Sequence, residues 1–284
     1  MRLGLLTSTR FAAYYEDETP LVNALRARKV HVEPVVWTEA RPLDDFDAIV
    51  MRTPWDWFQH RERFRAFLGS LRDVKARVFN APELMLRFAD KRYLTALAAE
   101  GLAVIPTQQL ESSELSSVAD RVATLGWERA VLKPAFTANA VGARLFDAVD
   151  ASKVVTELAP LPAGEPWLLQ PFVPAIAEGE RSFIFFGGRF SHGVLKKPKH
   201  GEWRVQHDYG GVVEPWAPSA RELDEANALL EKAAPGTLYA RVDAVPFEGR
   251  LHLMELELVE PELFFRVDPQ APTRFVDALL TKLS

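Results

Sequence analysis

The 284-residue chain reads as an α+β protein, with an open parallel α/β domain at its N-terminus and enough further chain for two or more lobes. Three observations predict this. Strand and helix signals alternate through residues 1–82, as a parallel layer requires. Towards the C-terminus, Gly187-Gly188 and Pro246-Phe-Glu-Gly249 join pairs of short apolar runs, which is hairpin punctuation. Hydrophobic residues make up 48% of the chain, with eighteen Phe and seven Trp, enough core for more than one lobe.

Leu3 to Thr7 is the first strand of this reading. Thr19-Pro20 resembles a helix start, a capping hydroxyl before a proline of the first turn, and the helix runs through Arg28. Val30 to Trp37 is a second strand, broken by Pro34, and Phe46 to Met51 a third that leads into Arg52-Thr-Pro-Trp-Asp-Trp57. Open α/β sheets bind ligands beyond the carboxyl ends of their strands. Arg52, Trp55 and Asp56 are therefore candidate substrate contacts, with packing the other use of the tryptophans.

Asn80-Ala-Pro82 marks entry to a second unit, 83–168, which opens on a helix from Pro82 to Glu100 carrying Lys91. Leu115 to Leu125 fits an amphipathic helix, and Arg129-Ala-Val-Leu-Lys-Pro134 is a buried strand ending in Lys133. A buried lysine is costly unless it meets an anion or snorkels to the surface. The third unit, 169–284, begins within the strand Trp167 to Pro174, where Pro171 suits a sheet edge or a hinge because it has no N–H to give. Ser182 to Leu195 forms a hairpin closed by Lys196 and Lys197, and Arg221 to Ala234 a helix.

Composition removes several function classes. Net charge is −5, from 34 basic and 39 acidic side chains without a long basic block, so nucleic acid is not an expected partner. With no cysteine, disulfides, thiolate metal sites and cysteine nucleophiles are excluded. The apolar run at Met1 to Leu6 is too short for a signal peptide, and no stretch of about 18 apolar residues offers a membrane span. The expectation is a soluble cytoplasmic protein whose oligomeric state, a homodimer included, the sequence leaves open.

The chemistry concentrates near the C-terminus. Alternation puts Arg241 and Asp243 on one face of a strand, and Glu255 and Glu257 on one face of its partner, with Asp243 opposite residues 254 to 256. Like charges so placed destabilise a sheet. Either Mg²⁺, a hard cation that takes carboxylate and phosphate oxygens together, or a salt bridge with Arg241 answers that conflict. Earlier in the chain come cations suited to phosphates, namely Lys91, Lys133, Lys196, Lys197 and Arg204. There is no P-loop and no protein-kinase motif set. The histidines lack metal-ligand spacing, and His192 and His207 suit structural or solvated roles.

In this order the motifs resemble the ATP-grasp superfamily, in the branch of bacterial glutathione synthetase and the ribosomal-protein glutamate ligases. Gln170-Pro-Phe-Val-Pro-Ala-Ile176 with Gly179-Glu180 is similar to its adenine hinge and ribose-binding acid. Gly201-Glu-Trp-Arg204 through Gly210-Gly211 is similar to its Gly-Glu-aromatic-Arg loop, and Asp243, Glu255 and Glu257 to its metal ligands. The resemblance implies an ATP-grasp fold, two α+β lobes enclosing ATP, and an ADP-forming carboxylate–amine ligase that works through an acyl phosphate. It implies phosphate contacts from Lys91 and Lys133, backbone contacts to adenine from Gln170, Phe172 and Val173, and ribose contacts from Glu180. Lys196 or Lys197 and Arg204 would stabilise the transferred phosphate, Gly210 and Gly211 would border the substrate, and Asp243, Glu255 and Glu257 would hold Mg²⁺.

Two departures from the pattern stand out. The loop from Phe136 to Phe146 holds a single glycine, Gly142, where the family carries several, and Glu257 replaces the usual asparagine. Thr53-Pro-Trp-Asp56 and Ser191-His-Gly-Val-Leu-Lys196 resemble a smaller subgroup that includes the cyclo-ligase of cycloserine biosynthesis, pointing to a small amino-acid-like or peptide-like substrate and to inter- or intramolecular ligation. A phosphotransferase and a nucleotide-binding protein without catalysis are the alternatives.

Overall fold

The computed structural model describes residues 1–158 and 164–284. Its N-terminal sheet is parallel, in the order β2-β1-β3-β4, from β1 (Arg2–Thr7), β2 (His31–Val36), β3 (Ala48–Thr53) and β4 (Arg77–Phe79). Helices α1 (Thr19–Ala27) and α2 (Arg61–Ser70) connect its strands. Pro34 does not break β2 as expected, because β2 is an edge strand where a missing N–H leaves no ladder bond unmade. The residue before α1 is Glu18 rather than Thr19, and its carboxylate is committed to Arg52.

The single helix expected from Pro82 to Glu100 is two, α3 (Pro82–Ala89) and α4 (Tyr93–Ala99). Asp90 adopts an extended backbone, and its carboxylate accepts bonds from the Arg92 N–H and guanidinium. A short acidic side chain that bonds nearby backbone competes with the helix in this way. The break frees the Lys91 N–H to bond the Ala135 carbonyl at 2.8 Å, which ties Lys91 to the chain just beyond Lys133.

The second sheet is antiparallel, β5-β8-β6-β7, from β5 (Gln108–Leu110), β6 (Arg129–Pro134), β7 (Arg144–Asp147) and β8 (Trp167–Pro171). Helices α5 (Val118–Leu125) and α6 (Ala151–Leu158) cover it, and a 3₁₀ turn over Ser112–Ser117 replaces the start of the expected 115–125 helix. β8 is an interior strand rather than an edge. Pro171 is tolerated because β5 reaches only to the residue opposite Leu169, so no donor is missed. β8 also runs across the expected 168/169 boundary, and its last residues stay in this sheet.

The third sheet, β11-β10-β9-β12-β13, comprises β9 (Glu180–Phe186), β10 (Arg189–Lys197), β11 (Val212–Trp216), β12 (Tyr239–Phe247) and β13 (Arg250–Glu257), all antiparallel. Gly187 and Gly188 both have positive φ, the requirement of the tight turn between β9 and β10. Helix α7 (Ala220–Ala233) starts at a reciprocal Ser219–Glu222 capping box, and α8 (Ala271–Leu283) packs on α1. One apolar core joins β1, β3 and α1 to Phe186, Tyr239, Phe265 and Phe275, so the parallel layer and the third sheet share an interior. Asn80 reinforces the join with buried bonds to the backbone of Leu238, Tyr239 and Leu258. Among the described residues no helix is long and apolar enough to cross a membrane.

Candidate active site

Strand register builds the site. Lys196 of β10 is opposite Glu180 of β9, Ser182 of β9 opposite Asp243 of β12, and Asp243 opposite Glu255 of β13, so one face of the third sheet carries a band of charge. Arg241 and Glu257 continue it one pair along. A bulge after Asp243 absorbs Met254 and keeps both glutamates on the face of Asp243. Lys133, at the end of β6 in the second sheet, and Lys91, tethered beside it, line the same cavity of about 800 Å³.

Within the cavity acids and bases alternate. Asp243 is 2% exposed and takes the Arg241 guanidinium at 3.0 Å, the Lys196 ammonium at 3.0 Å and the Ser182 hydroxyl. Burial opposes its ionisation, but Arg241 and Lys196 hold its carboxyl well below the usual range. Lys196 also pairs with Glu180, whose pKa burial still raises. Lys91 pairs with Glu255, and despite burial Lys91 and Lys133 keep that carboxyl below its ordinary value.

Glu257 fares differently. Burial, reinforced by Glu255, Asp243 and Glu260, pushes it up to about 8 even though Arg241 bonds it. Arg241 is shared, and Asp243 receives most of its hydrogen bonds. Lys133 is the opposite case. It has no hydrogen bond or ion pair among the described residues, and burial, with help from Lys91, lowers it to about 8 against the pull of Glu255.

The three acids share one face as expected, and they do so within a mixed network that includes the Arg241 salt bridge of the alternative reading. Among the described residues no group of three carboxylates stands ready for a metal, because each acid of the trio has a basic partner. Its residues still fit Mg²⁺ with a phosphate ester. Asp243 and Glu255 face each other with Glu257 on the same face, where burial and the neighbouring acids push the Glu257 pKa up, a crowding that a cation would relieve. The Lys133 ammonium, unpaired among the described residues, suits phosphate oxygens.

The remaining predicted residues divide clearly. Gln170, Phe172, Val173, Arg204, Trp55 and Asp56 all border the cavity. The Phe172 ring lies under the Arg129 guanidinium and its N–H bonds the Arg129 carbonyl, whereas the Val173 N–H has no partner among the described residues. Arg204 is forked onto Glu202 and stacked 3.6 Å over Tyr209.

Arg52, Lys197, Gly210 and Gly211 are not brought to the cavity wall. Arg52 is 1% exposed and bound to Glu18 and the Pro261 carbonyl, a strap between β3 and the chain beyond β13. Lys197 has the opposite strand parity to Lys196 and pairs with Glu214. Gly210 turns the chain with φ of 82°, and a Cβ on Gly211 would fall 2.0 Å from the Val205 carbonyl oxygen, so both glycines close their loop.

Sequence reasoning passed over two features. Arg241 was read as a neutraliser and not as part of the site, although its spacing from Asp243 already set the shared face. Glu260 gave no signal at all, because its role depends on Trp55 and Trp57, some 200 residues earlier: Trp57 donates its indole N–H to the Glu260 carboxylate and Trp55 to the Glu260 carbonyl.

A family model described as the N-terminal domain of D-cycloserine synthetase DcsG matches residues 3–80. The cycloserine biosynthesis protein DcsG of Streptomyces lavendulae is 30% identical over 302 aligned residues, covering 99% of this chain and 98% of its own. A crystal structure of D-cycloserine synthetase DcsG matches 100% of both chains at 27% identity with a TM-score of 0.90. A D-alanine–D-alanine ligase from Bacillus anthracis matches 100% of this chain and 97% of its own with a TM-score of 0.70, a likeness of fold at 15% identity.

Proposed function

The chain belongs to the cycloserine-synthetase group of the ATP-grasp ligases, ADP-forming enzymes that make C–N bonds, and from that premise we propose that it closes a small amino-acid derivative on itself. The substrate's own carboxylate attacks the γ-phosphorus of ATP, giving an acyl phosphate and ADP. A nitrogen of the same molecule then attacks the acyl carbon, the C–O bond to phosphate breaks, and the nitrogen's proton leaves to solvent.

The observation that carries this reading is that Lys133, unpaired among the described residues, lines one cavity with Asp243, Glu255 and Glu257 and with Trp55 and Asp56 from the chain after β3. In this reading Lys91 and Lys133 hold the phosphates, the Val173 N–H and its neighbour Gln170 meet adenine, and Glu180 meets the ribose. Lys196, Arg204 and Arg241 orient the transferring phosphoryl group and stabilise its charge. Asp243, Glu255 and Glu257 would hold Mg²⁺, which when bound neutralises phosphate oxygens. The cavity is of the size that takes a nucleotide and a small partner, which supports a compact substrate over a protein one.

Cycloserine is a ring joining a serine carboxyl to an aminooxy nitrogen of the same molecule, so opening that bond with water gives O-aminoserine. The test is ADP release and product mass with O-aminoserine, other amino acids bearing a second nitrogen, and pairs of simple amino acids. Ring closure predicts ADP formation with a single amino acid and a product one water lighter. A dipeptide, a stable phosphorylated product or no turnover across the panel would reject it.

A further inference from the structure

In a cavity where most acids have a basic partner, Glu260 has none. Glu180, Asp243, Glu255, Glu257 and Glu262 are each ion-paired, whereas no lysine or arginine bonds Glu260 among the described residues. The carboxylate is nonetheless fixed. Its Oε1 accepts the Trp57 indole N–H, and Trp55 holds its own backbone carbonyl at 2.9 Å. Among the described residues no other side chain bonds the carboxylate, its own backbone N–H lies close to it, and Glu260 lines the cavity.

Trp57 is 3% exposed, stacked on Phe64 and edge-on to Phe136, so the donor that aims Glu260 is rigid. Lys91 and Glu255 are close enough to bear on the Glu260 carboxyl electrostatically, which puts it beside the network assigned to the phosphates. An oriented carboxylate that lines a cavity and makes no ion pair among the described residues is complementary to an ammonium group. Three other cavity acids lack a cation among the described residues: Glu16 and Asp208 are exposed, Asp208 accepting the Asn139 amide, and Asp56 accepts the Trp37 indole at Oδ1 at 2.7 Å.

We propose that Glu260, aimed by Trp55 and Trp57, binds the α-ammonium group of the substrate and so selects amino acids over acids that lack the amine. The inference rests on the ring-closing reading above. It makes Glu260 a substrate contact and the two tryptophans positioning residues. With carboxylate, ammonium and attacking nitrogen held at separate points, the contact also discriminates between enantiomers.

The experiment compares O-aminoserine, as each enantiomer, with 3-aminooxypropionate, which closes to the same ring without the amine. Wild-type kcat/KM should favour the preferred O-aminoserine enantiomer roughly 10- to 100-fold over 3-aminooxypropionate, the span of a charged hydrogen bond. In Glu260→Gln, which keeps an acceptor for Trp57, both the amine preference and the enantiomer preference should collapse towards unity through KM, with KM for ATP unchanged. Trp57→Phe should lie between. Turnover with the preference intact in Glu260→Gln overturns the inference alone, as does a collapse produced by Asp56→Asn instead. No turnover of either compound by the wild type overturns the ring-closing reading and this one with it.

Discussion

Asp243 and Glu255 are register partners across β12 and β13, two carboxylates set directly opposite one another. The chain offsets that repulsion with cations from elsewhere. Arg241 and Lys196 hold Asp243, and Lys91, from the break between α3 and α4, holds Glu255. Arg241 shares β12 with Asp243, but Lys196 and Lys91 tie the network to β10 and to the α3–α4 break, both distant in sequence, and a substitution in either disturbs the rest.

Lys133 should be a liability without nucleotide and indispensable with it. Its pKa of about 8 lies below that of a free lysine, so between the two values the unfolded chain binds more protons than the folded one. The contribution of Lys133 to stability therefore rises as pH climbs from about 8 to 10.5. Lys133→Met should flatten that rise, raise the nucleotide-free Tm at neutral pH, and abolish the further rise that ATP gives the wild type. Its kcat/KM for ATP should fall roughly 10²- to 10³-fold. A variant no more stable than wild type, yet still stabilised by ATP, would remove Lys133 from the phosphate site.

Arg52 should matter for folding and not for substrate. Arg52 and Glu18 form a bidentate pair with side chains 1% and 4% exposed. Removing one partner of such a pair costs about 3–5 kcal/mol, because the other charge stays buried alone. Arg52→Met should lose stability on that scale in urea titrations, and Arg52→Met with Glu18→Gln should regain much of it. Below the unfolding transition KM values should be unchanged. A raised KM with unaltered stability would return Arg52 to the substrate site.

What the sequence made legible follows from how local each signal is. The facing of Asp243 and Glu255 needed only strand alternation and a tight turn, and both hold within twenty residues. The choice of Lys196 over Lys197 rests on parity too, but it required the register of β10 against β9. Arg52 was misread because β3 is buried along its whole length between layers, so alternation carries no information about which way a side chain points. The split of the Pro82–Glu100 helix depended on an Asp90 side chain turning back on Arg92, a choice that apolar periodicity does not register. Glu260 was invisible because its meaning comes from two indoles contributed by another layer.

Glu257 should leave an opposite signature in pH. Its pKa of about 8 lies above the 4.5 of a free glutamate, so the folded state binds more protons between those values. This group's contribution to stability is present below about 4.5 and is lost as pH rises through about 8. Glu257→Gln keeps a neutral side chain beside Arg241 and should gain stability relative to wild type as pH rises across that window. Urea midpoints of both proteins, compared pH by pH, read the difference directly. A constant offset between the curves would show that Glu257 titrates as an ordinary carboxylate.

The loop after Lys133 should act as a cover despite its single glycine. Asn139 and Ala140 take φ of 54° and 53°, left-handed values that asparagine tolerates and alanine resists. The Asn139 amide donates to the Asp208 carboxylate, which joins this loop to the one carrying Arg204 and Tyr209, and both residues border the cavity. If that bond holds the two loops together over bound nucleotide, Asp208→Ala should release a fluorescent ADP analogue roughly 5- to 10-fold faster in stopped flow. KM for ATP should rise, and kcat should hold or increase if product release limits turnover. Ala140→Gly should have the opposite emphasis, because glycine adopts the left-handed geometry without strain and firms the loop in its closed shape. Equal release rates in wild type and Asp208→Ala would mean that the two loops touch without gating the site.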